Sequence, residues 1–209
     1  LLAASTLLSH MVANLAPIVV TARLTTDTAT ASAFAAAFIL IRVPLFLISP
    51  VQALLMPALT DAIARRDYPA LRSRLRRILA LVAALGVVGI LGSVVLGPWA
   101  VQALFGARVS LSGSLLGLLA VGTAILMAAQ VLQPALLAFG SHRTLAAAWG
   151  MGTAAMGALL ALPGDPLWAA VLAQLAGPTL LVLGMAGVVL RQLRLARVPV
   201  YTRGGVHQP

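Results

Sequence analysis

Cysteine, lysine and glutamate are all absent from this 209-residue chain. Without cysteine there is no disulfide framework, no thiolate metal site and no thiol nucleophile. Without lysine and glutamate, every formal charge is an arginine or an aspartate. These are few: 14 basic and 4 acidic side chains make up 9% of the residues and leave a net charge of +10. A water-facing surface needs about 25% charged residues, so the material for one is missing. Histidine is scarce as well, since His10, His142 and His207 stand far apart and without metal-ligand spacing. No metal and no cofactor are expected.

Instead, 61% of the residues are hydrophobic, and such a chain dissolves mainly in lipid. At about 20 residues per membrane-spanning helix, the apolar stretches resolve into six spans at about 2–23, 31–59, 75–96, 111–139, 145–162 and 167–190. The expected fold is an all-α, polytopic membrane helix bundle over residues 1–197. A polar tail at 198–209 is expected to be unfolded. The second span is longer than a bilayer requires and contains Pro44, Pro50 and Pro57, so a kink or tilt is expected there. The chain begins Leu1-Leu2 with neither an initiator methionine nor a charged leader and small-residue cleavage site, and is expected to belong to a longer protein.

A basic balance this strong raises nucleic-acid binding, but a nucleic-acid binder carries its basic residues on a solvated fold. Here they fall in the gaps between apolar runs, which is the pattern of the positive-inside rule. Alternating the loops between two sides puts eleven of the arginines on one side, namely those of 65–77, Arg143 and those of 191–203. Only Arg23 and Arg108 fall on the other. Both termini are therefore expected to be cytoplasmic, and no nucleic-acid partner is expected. In the largest basic loop, Thr60 to Arg77, Leu71, Leu75, Ile78 and Leu79 share a helical face against Arg72, Arg74, Arg76 and Arg77. An in-plane helix leading into the third span is expected, with recognition of anionic headgroups as its functional reading and a topology anchor as its plain one.

An enzyme within the bilayer needs titratable groups at membrane depth, and Asp27, Asp61, Asp67 and Asp165 all fall between spans. No carboxylate pair, metal cluster or activated nucleophile is available, so no enzymatic activity is expected. Gly86, Gly89 and Gly92, and Gly150 with Ala154 and Ala158, lie in apolar helical runs and are expected to permit close helix packing. Trp99, Trp149 and Trp168 fall near span ends, as interface anchors do.

Arg42 stands apart from this pattern. It lies about eleven residues inside the second span, about 16 Å from its outer end, near the midplane of a roughly 30 Å core. A charge at that depth calls for a cavity, a partner or a substrate. The residues leave open whether Arg42 meets a substrate anion, a carboxylate from elsewhere, or carbonyls freed by Pro44 and Pro50. His10 and Asn14 stand four apart on one face of the first span, and Ser49 follows Arg42 by seven, so these four residues are the substrate-binding candidates. Gln130, Gln133 and Gln174 are weaker polar candidates of the same kind.

The stretch Arg42-Val43-Pro44-Leu45-Phe46, then Gln52, then Leu55-Met56-Pro57-Ala58-Leu59 and a basic loop with Arg66-Asp67, resembles the second helix of the C-terminal lobe of polysaccharide and oligosaccharide flippases. Those proteins belong to the multidrug/oligosaccharidyl-lipid/polysaccharide exporter superfamily. Leu104-Phe105-Gly106 and the run from Ala135 to Arg143 are similar to that family's turns after the third helix and between the fourth and fifth. Ala107-Arg108-Val109 departs from its pattern.

The resemblance implies one six-helix lobe of a two-lobe exporter, with a preceding N-terminal six-helix lobe in the full-length chain. It implies a bacterial cytoplasmic membrane and alternating-access transport of a lipid-linked oligosaccharide or polysaccharide precursor. His10, Asn14 and Arg42 would then face the cavity. An intramembrane arginine without an intramembrane acid favours an anionic substrate such as a pyrophosphate-linked saccharide. A multidrug exporter of the same superfamily and a non-transporting membrane scaffold are the alternatives.

Overall fold

The computed structural model describes residues 2–195, leaving aside the side chains of residues 2–6, 13 and 49. The tail expected at 198–209 lies outside the described residues. Among those residues the backbone forms helices and no strand: α1 (Leu2–Arg23), α2 (Thr28–Ile41), α3 (Val43–Phe46), α4 (Ile48–Ala64), α5 (Tyr68–Val95), α6 (Gly97–Phe105), α7 (Gly113–Ala138), α8 (His142–Leu160) and α9 (Pro166–Leu195).

The few polar residues do most of the punctuation. Asp27 caps α2 by accepting the Thr30 N–H at 3.0 Å, which ties down a backbone donor that the first helical turn leaves without a partner. The Thr30 side chain and backbone together hold the Asp27 carboxyl below its ordinary range. That capping contribution therefore persists across neutral and mildly acidic pH and is lost only as the pH falls below the usual carboxylate range.

Arg65, Arg66 and Asp67 turn α4 into α5. Arg66 is left-handed at φ 56, its N–H donating to Ile63 at 3.0 Å and that of Asp67 to Ala62 at 2.8 Å; this is a Schellman stop. Asp67 then starts the next helix by accepting from the Ala70 N–H at 3.0 Å. Gly140, at φ 69, ends α7 in the same way. The Ser141 N–H reaches Leu136 and the Gly140 N–H reaches Leu137, both at 2.9 Å.

Among the described residues, four helices or helix runs are long and apolar enough to cross a membrane: 28–64 taken as one interrupted rod, α5, α7 and α9. The sequence led us to expect six. The other two expected spans lie in α1, where several side chains are outside the described residues, and in α8, which is 19 residues long and opens on His142-Arg143. In α8 those two polar residues lower the mean hydropathy without preventing the helix from forming. The expected in-plane helix is not a separate element, because its arginines occupy the first turns of a single unbroken α5. Leu71 and Leu75 are buried there, while Arg72, Arg74, Arg76 and Arg77 are exposed.

α7 forms the middle of the bundle, packing against α9 and α5 most extensively and also against α4, α2 and α8. In its most apolar stretch 67% of residues are buried, against 11% for α5, whose Val87, Val88, Leu91 and Val95 point outward. Side chains of this kind suit a lipid-facing helix. α8 packs extensively against α9, and α1 packs against both of them.

Glycine sets the close approaches, although only some of the expected positions serve. A Cβ at Gly86 would come within 2.9 Å of Ala124 Cβ, whereas Gly92 and Gly150 have nothing within 4 Å. Ala154 and Ala158 are exposed. Other close approaches lie at glycines outside the expected set. Gly152 and Gly177 face each other across α8 and α9, each Cβ position 3.1 Å from the other's carbonyl oxygen. Gly122 lies directly against the backbone and side chain of Gln174. Trp149, expected at an interface, is fully buried instead, while Trp99 and Trp168 are exposed near the starts of α6 and α9.

Arg23 fastens one end of the bundle. Its guanidinium donates to the carbonyls of Leu160 and Leu162 through Nη1 and of Gly164 through Nη2, each at 3.0 Å. A cation there also meets the negative end of the α8 dipole. Replacing Arg23 with Ala should cost roughly 2 kcal/mol. A lowered midpoint in thermal melts of the detergent-solubilised protein checks this, with Arg108→Ala as the control expected to change little.

Candidate functional site at the break between α2 and α3

The rod from Thr28 to Ala64 bends because proline removes donors from it. Pro44 and Pro50 have no N–H to offer the preceding turns, and the chain responds by tightening. The Arg42 N–H donates to Ile39 at 3.2 Å, Leu45 to Arg42 at 2.9 Å and Leu47 to Pro44 at 3.2 Å, all spanning three residues rather than four. Arg42 itself sits at φ −89, ψ −7, in the sparsely populated bridge region between helix and strand. Of the two breaks in the rod, one therefore falls on the charged residue and the other on Leu47.

The side chain of Arg42 turns inward and is 8% exposed. Its guanidinium carbon lies 4.3 Å from the centre of the Phe38 ring. Phe38 in turn stands 5.7 Å from Phe34 at an interplanar angle of 31°. Residues 34, 38 and 42 are spaced four apart, so the two rings and the cation form one column along α2. Desolvated cation–π contacts contribute about 2 kcal/mol, well short of the cost of burying a charge.

Among the described residues the guanidinium Nε and Nη2 are buried with no hydrogen-bond partner, so neither reaches a carbonyl freed by Pro44 or Pro50. No carboxylate comes near it either. Among the described residues the one ion pair is Arg65–Asp61, at 2.8 Å and exposed. Asp27, Asp67 and Asp165 are occupied as helix caps. The net result is a buried cation with two donor nitrogens that have no partner among the described residues.

The other candidates are placed differently. His10 and Asn14 lie on the exposed face of α1, in one stripe with Leu7, Met11 and Ile18. Asn14 Nδ2 donates to the His10 carbonyl at 2.9 Å, so its amide is partly engaged by its own helix. No hydrogen bond joins either of them to Arg42 among the described residues. The side chain of Ser49 lies outside the described residues.

A polar seam runs through the core beside these elements. Gln52 Nε2 on α4 donates to both the carbonyl and the side-chain oxygen of Gln130 on α7, at 2.6 and 2.8 Å. Gln133 keeps a buried side-chain oxygen without a partner, and Gln174 on α9 is fully buried with neither side-chain atom bonded. Thr123 is buried too, its hydroxyl turned back to the Leu119 carbonyl at 3.2 Å. Next to the bend, a cavity of about 270 Å³ is bounded by Val43 and Pro44, by Gly86 and Gly89 of α5 and by Thr123 of α7.

No family model, curated protein or solved structure matches the chain. The functional reading consequently rests on the geometry of the site. Sequence reasoning singled out Arg42 by its depth and the glutamines by their polarity. It missed the Phe34–Phe38–Arg42 column, although the spacing of four was there to be read, and the cross-helix pair of Gln52 with Gln130, which depends on how α4 meets α7.

Proposed function

We propose that this chain is one six-helix lobe of an exporter resembling the polysaccharide and oligosaccharide flippases, and that it moves a lipid-linked saccharide precursor across a bacterial cytoplasmic membrane by alternating access. In this reading α1, the α2–α4 rod, α5, α7, α8 and α9 are the six spans. At 1.5 Å per residue α1 and α8 reach about 33 and 28 Å, close to a hydrocarbon core of roughly 30 Å. The arginine-rich end, with both termini, faces the cytoplasm, and a preceding lobe completes the transport path.

One observation carries this proposal. Arg42 is a buried cation at a bend in an apolar rod, with two donor nitrogens unused. A fork of that kind fits the oxygens of a phosphate or pyrophosphate, and a bent helix in a packed bundle is the sort of element that changes shape during transport. His10 and Asn14, on the open face of α1, would take the less charged part of the substrate. The deciding experiment reconstitutes the full-length protein in vesicles and follows fluorescent lipid-linked oligosaccharide reaching the outer leaflet. Flipping above the protein-free rate is expected. Cation-driven drug efflux with no effect on the lipid-linked sugar would instead identify a multidrug exporter.

A further inference from the structure

A second cationic site lies at the end of the bundle where α5 begins and α9 finishes. Tyr68, Pro69, Arg72, Ser73 and Arg76 of α5 and Leu193 of α9 enclose a cleft of about 490 Å³. A smaller hollow of about 170 Å³ adjoins it, sharing Arg72 and Leu193 and adding Leu190 and Arg194. Arg72 and Arg76 are one turn apart and share a face of α5, with Arg194 opposite. Three exposed arginines from two helices thus border the two adjoining hollows, Arg72 being common to both.

Among the described residues no acid is free to neutralise them. No acid lines either hollow. The two aspartates at this end are engaged elsewhere, Asp61 with Arg65 at 2.8 Å and Asp67 with the Ala70 N–H at 3.0 Å. The Ser73 and Tyr68 side chains add hydroxyls to the lining.

The cleft also opens onto apolar surface. Leu183 and Leu190 stand seven residues apart on one exposed face of α9, and Ala80, Ala83 and Val87 continue the Arg72–Arg76 face of α5 outward. A soluble anion needs only the arginines. A molecule with a phosphate head and hydrocarbon tails fits both parts.

We propose that this cleft is a binding site for the phosphate headgroup of an anionic phospholipid, its acyl chains lying along α5 and α9. Basic pockets between helices at a membrane interface bind such headgroups, and the charges here are concentrated in one concave site rather than spread along a loop. The site is separate from Arg42, and the proposal holds whether or not the protein transports a saccharide.

The test titrates the full-length, detergent-solubilised protein with phosphatidylglycerol, with phosphatidylcholine and with inorganic phosphate, reading bound lipid by native mass spectrometry and phosphate by competition. Saturable phosphatidylglycerol binding is expected, with phosphatidylcholine much weaker and millimolar phosphate a poor competitor. Near-surface arginines contribute about fivefold each to binding, so Arg76→Gln should weaken it about fivefold and Arg72→Gln/Arg76→Gln/Arg194→Gln about a hundredfold. A triple variant with the same charge change outside the cleft, Arg66→Gln/Arg77→Gln/Arg143→Gln, should lose far less. Equal losses in the two triple variants would mean a diffuse surface charge and overturn the proposal. Full displacement by phosphate at lipid-like affinity would replace the lipid with a free anion, and unsaturable lipid binding would leave no site at all. The single variant changes one exposed side chain, so its outcome stands even if a triple variant is poorly expressed.

Discussion

Replacing Arg42 with methionine in the full-length protein is expected to lower export about thirtyfold or more, while leaving the protein as stable as the wild type or more so. The two halves of this result have opposite signs because they measure different states. Without substrate, the guanidinium is buried against Phe38 at 4.3 Å with Nε and Nη2 unpartnered. Removing such a charge relieves a desolvation cost of several kcal/mol and gives up a cation–π contact of about 2 kcal/mol. Methionine fills similar volume and is flexible enough to follow the bend.

With substrate, the same nitrogens are proposed to meet phosphate oxygens, and losing a buried, charge-assisted contact of that kind costs about 2–5 kcal/mol. Arg42→Lys keeps the charge but not the fork, and should fall between the wild type and Arg42→Met. Export assays in vesicles and detergent melting curves on the same preparations separate the two effects. If Arg42→Met melts well below the wild type and exports in proportion to the protein that survives, Arg42 is a structural strut and the transport role proposed for it is lost.

How far this site could be read beforehand depended on what each residue interacts with. Depth is a property of position along one apolar run, so Arg42 stood out before any packing was known. The bend depended on Pro44 and Pro50, which also act locally. The helix boundaries at Asp27, Asp67 and Gly140 follow from side chains and dihedral preferences within a few residues of the turn, and they too were near to hand. What could not be read was which helix meets which. Trp149 lies near the start of α8, where an interface anchor is plausible, yet the packing of α8 on its neighbours buries it completely. Gly92 and Gly150 look like packing glycines by composition and face open space, because their faces turn away from the seams. The candidates in α1 show the same limit, since His10 and Asn14 share a face by period alone but the neighbours of that face depend on the whole bundle.

The second large effect is expected where that tertiary information matters most. At Gly122, at the centre of α7, an added Cβ would overlap the carbonyl oxygen and Cγ of Gln174 on α9. A flexible side-chain end can move aside, but the carbonyl belongs to a helical backbone and cannot shift without moving α9. Gly122→Ala is therefore expected to force the two helices apart, at a cost of about 1–3 kcal/mol and a fall in melting temperature on the order of 5–10 °C. Gly122→Leu should prevent recovery of folded protein. Gly92→Ala is the matched control, because nothing lies within 4 Å of its Cβ position. Alanine there should raise stability by up to about 1 kcal/mol through helix propensity alone.

A double variant distinguishes which atom sets the limit. Gln174→Ala removes the overlapping Cγ and two unpartnered polar atoms but leaves the carbonyl in place. If the backbone contact dominates, Gly122→Ala/Gln174→Ala will melt no higher than Gln174→Ala lowered by the full Gly122→Ala cost. Recovery of most of that loss would show that the side chain was the obstacle and that α7 and α9 are free to move closer than their present spacing.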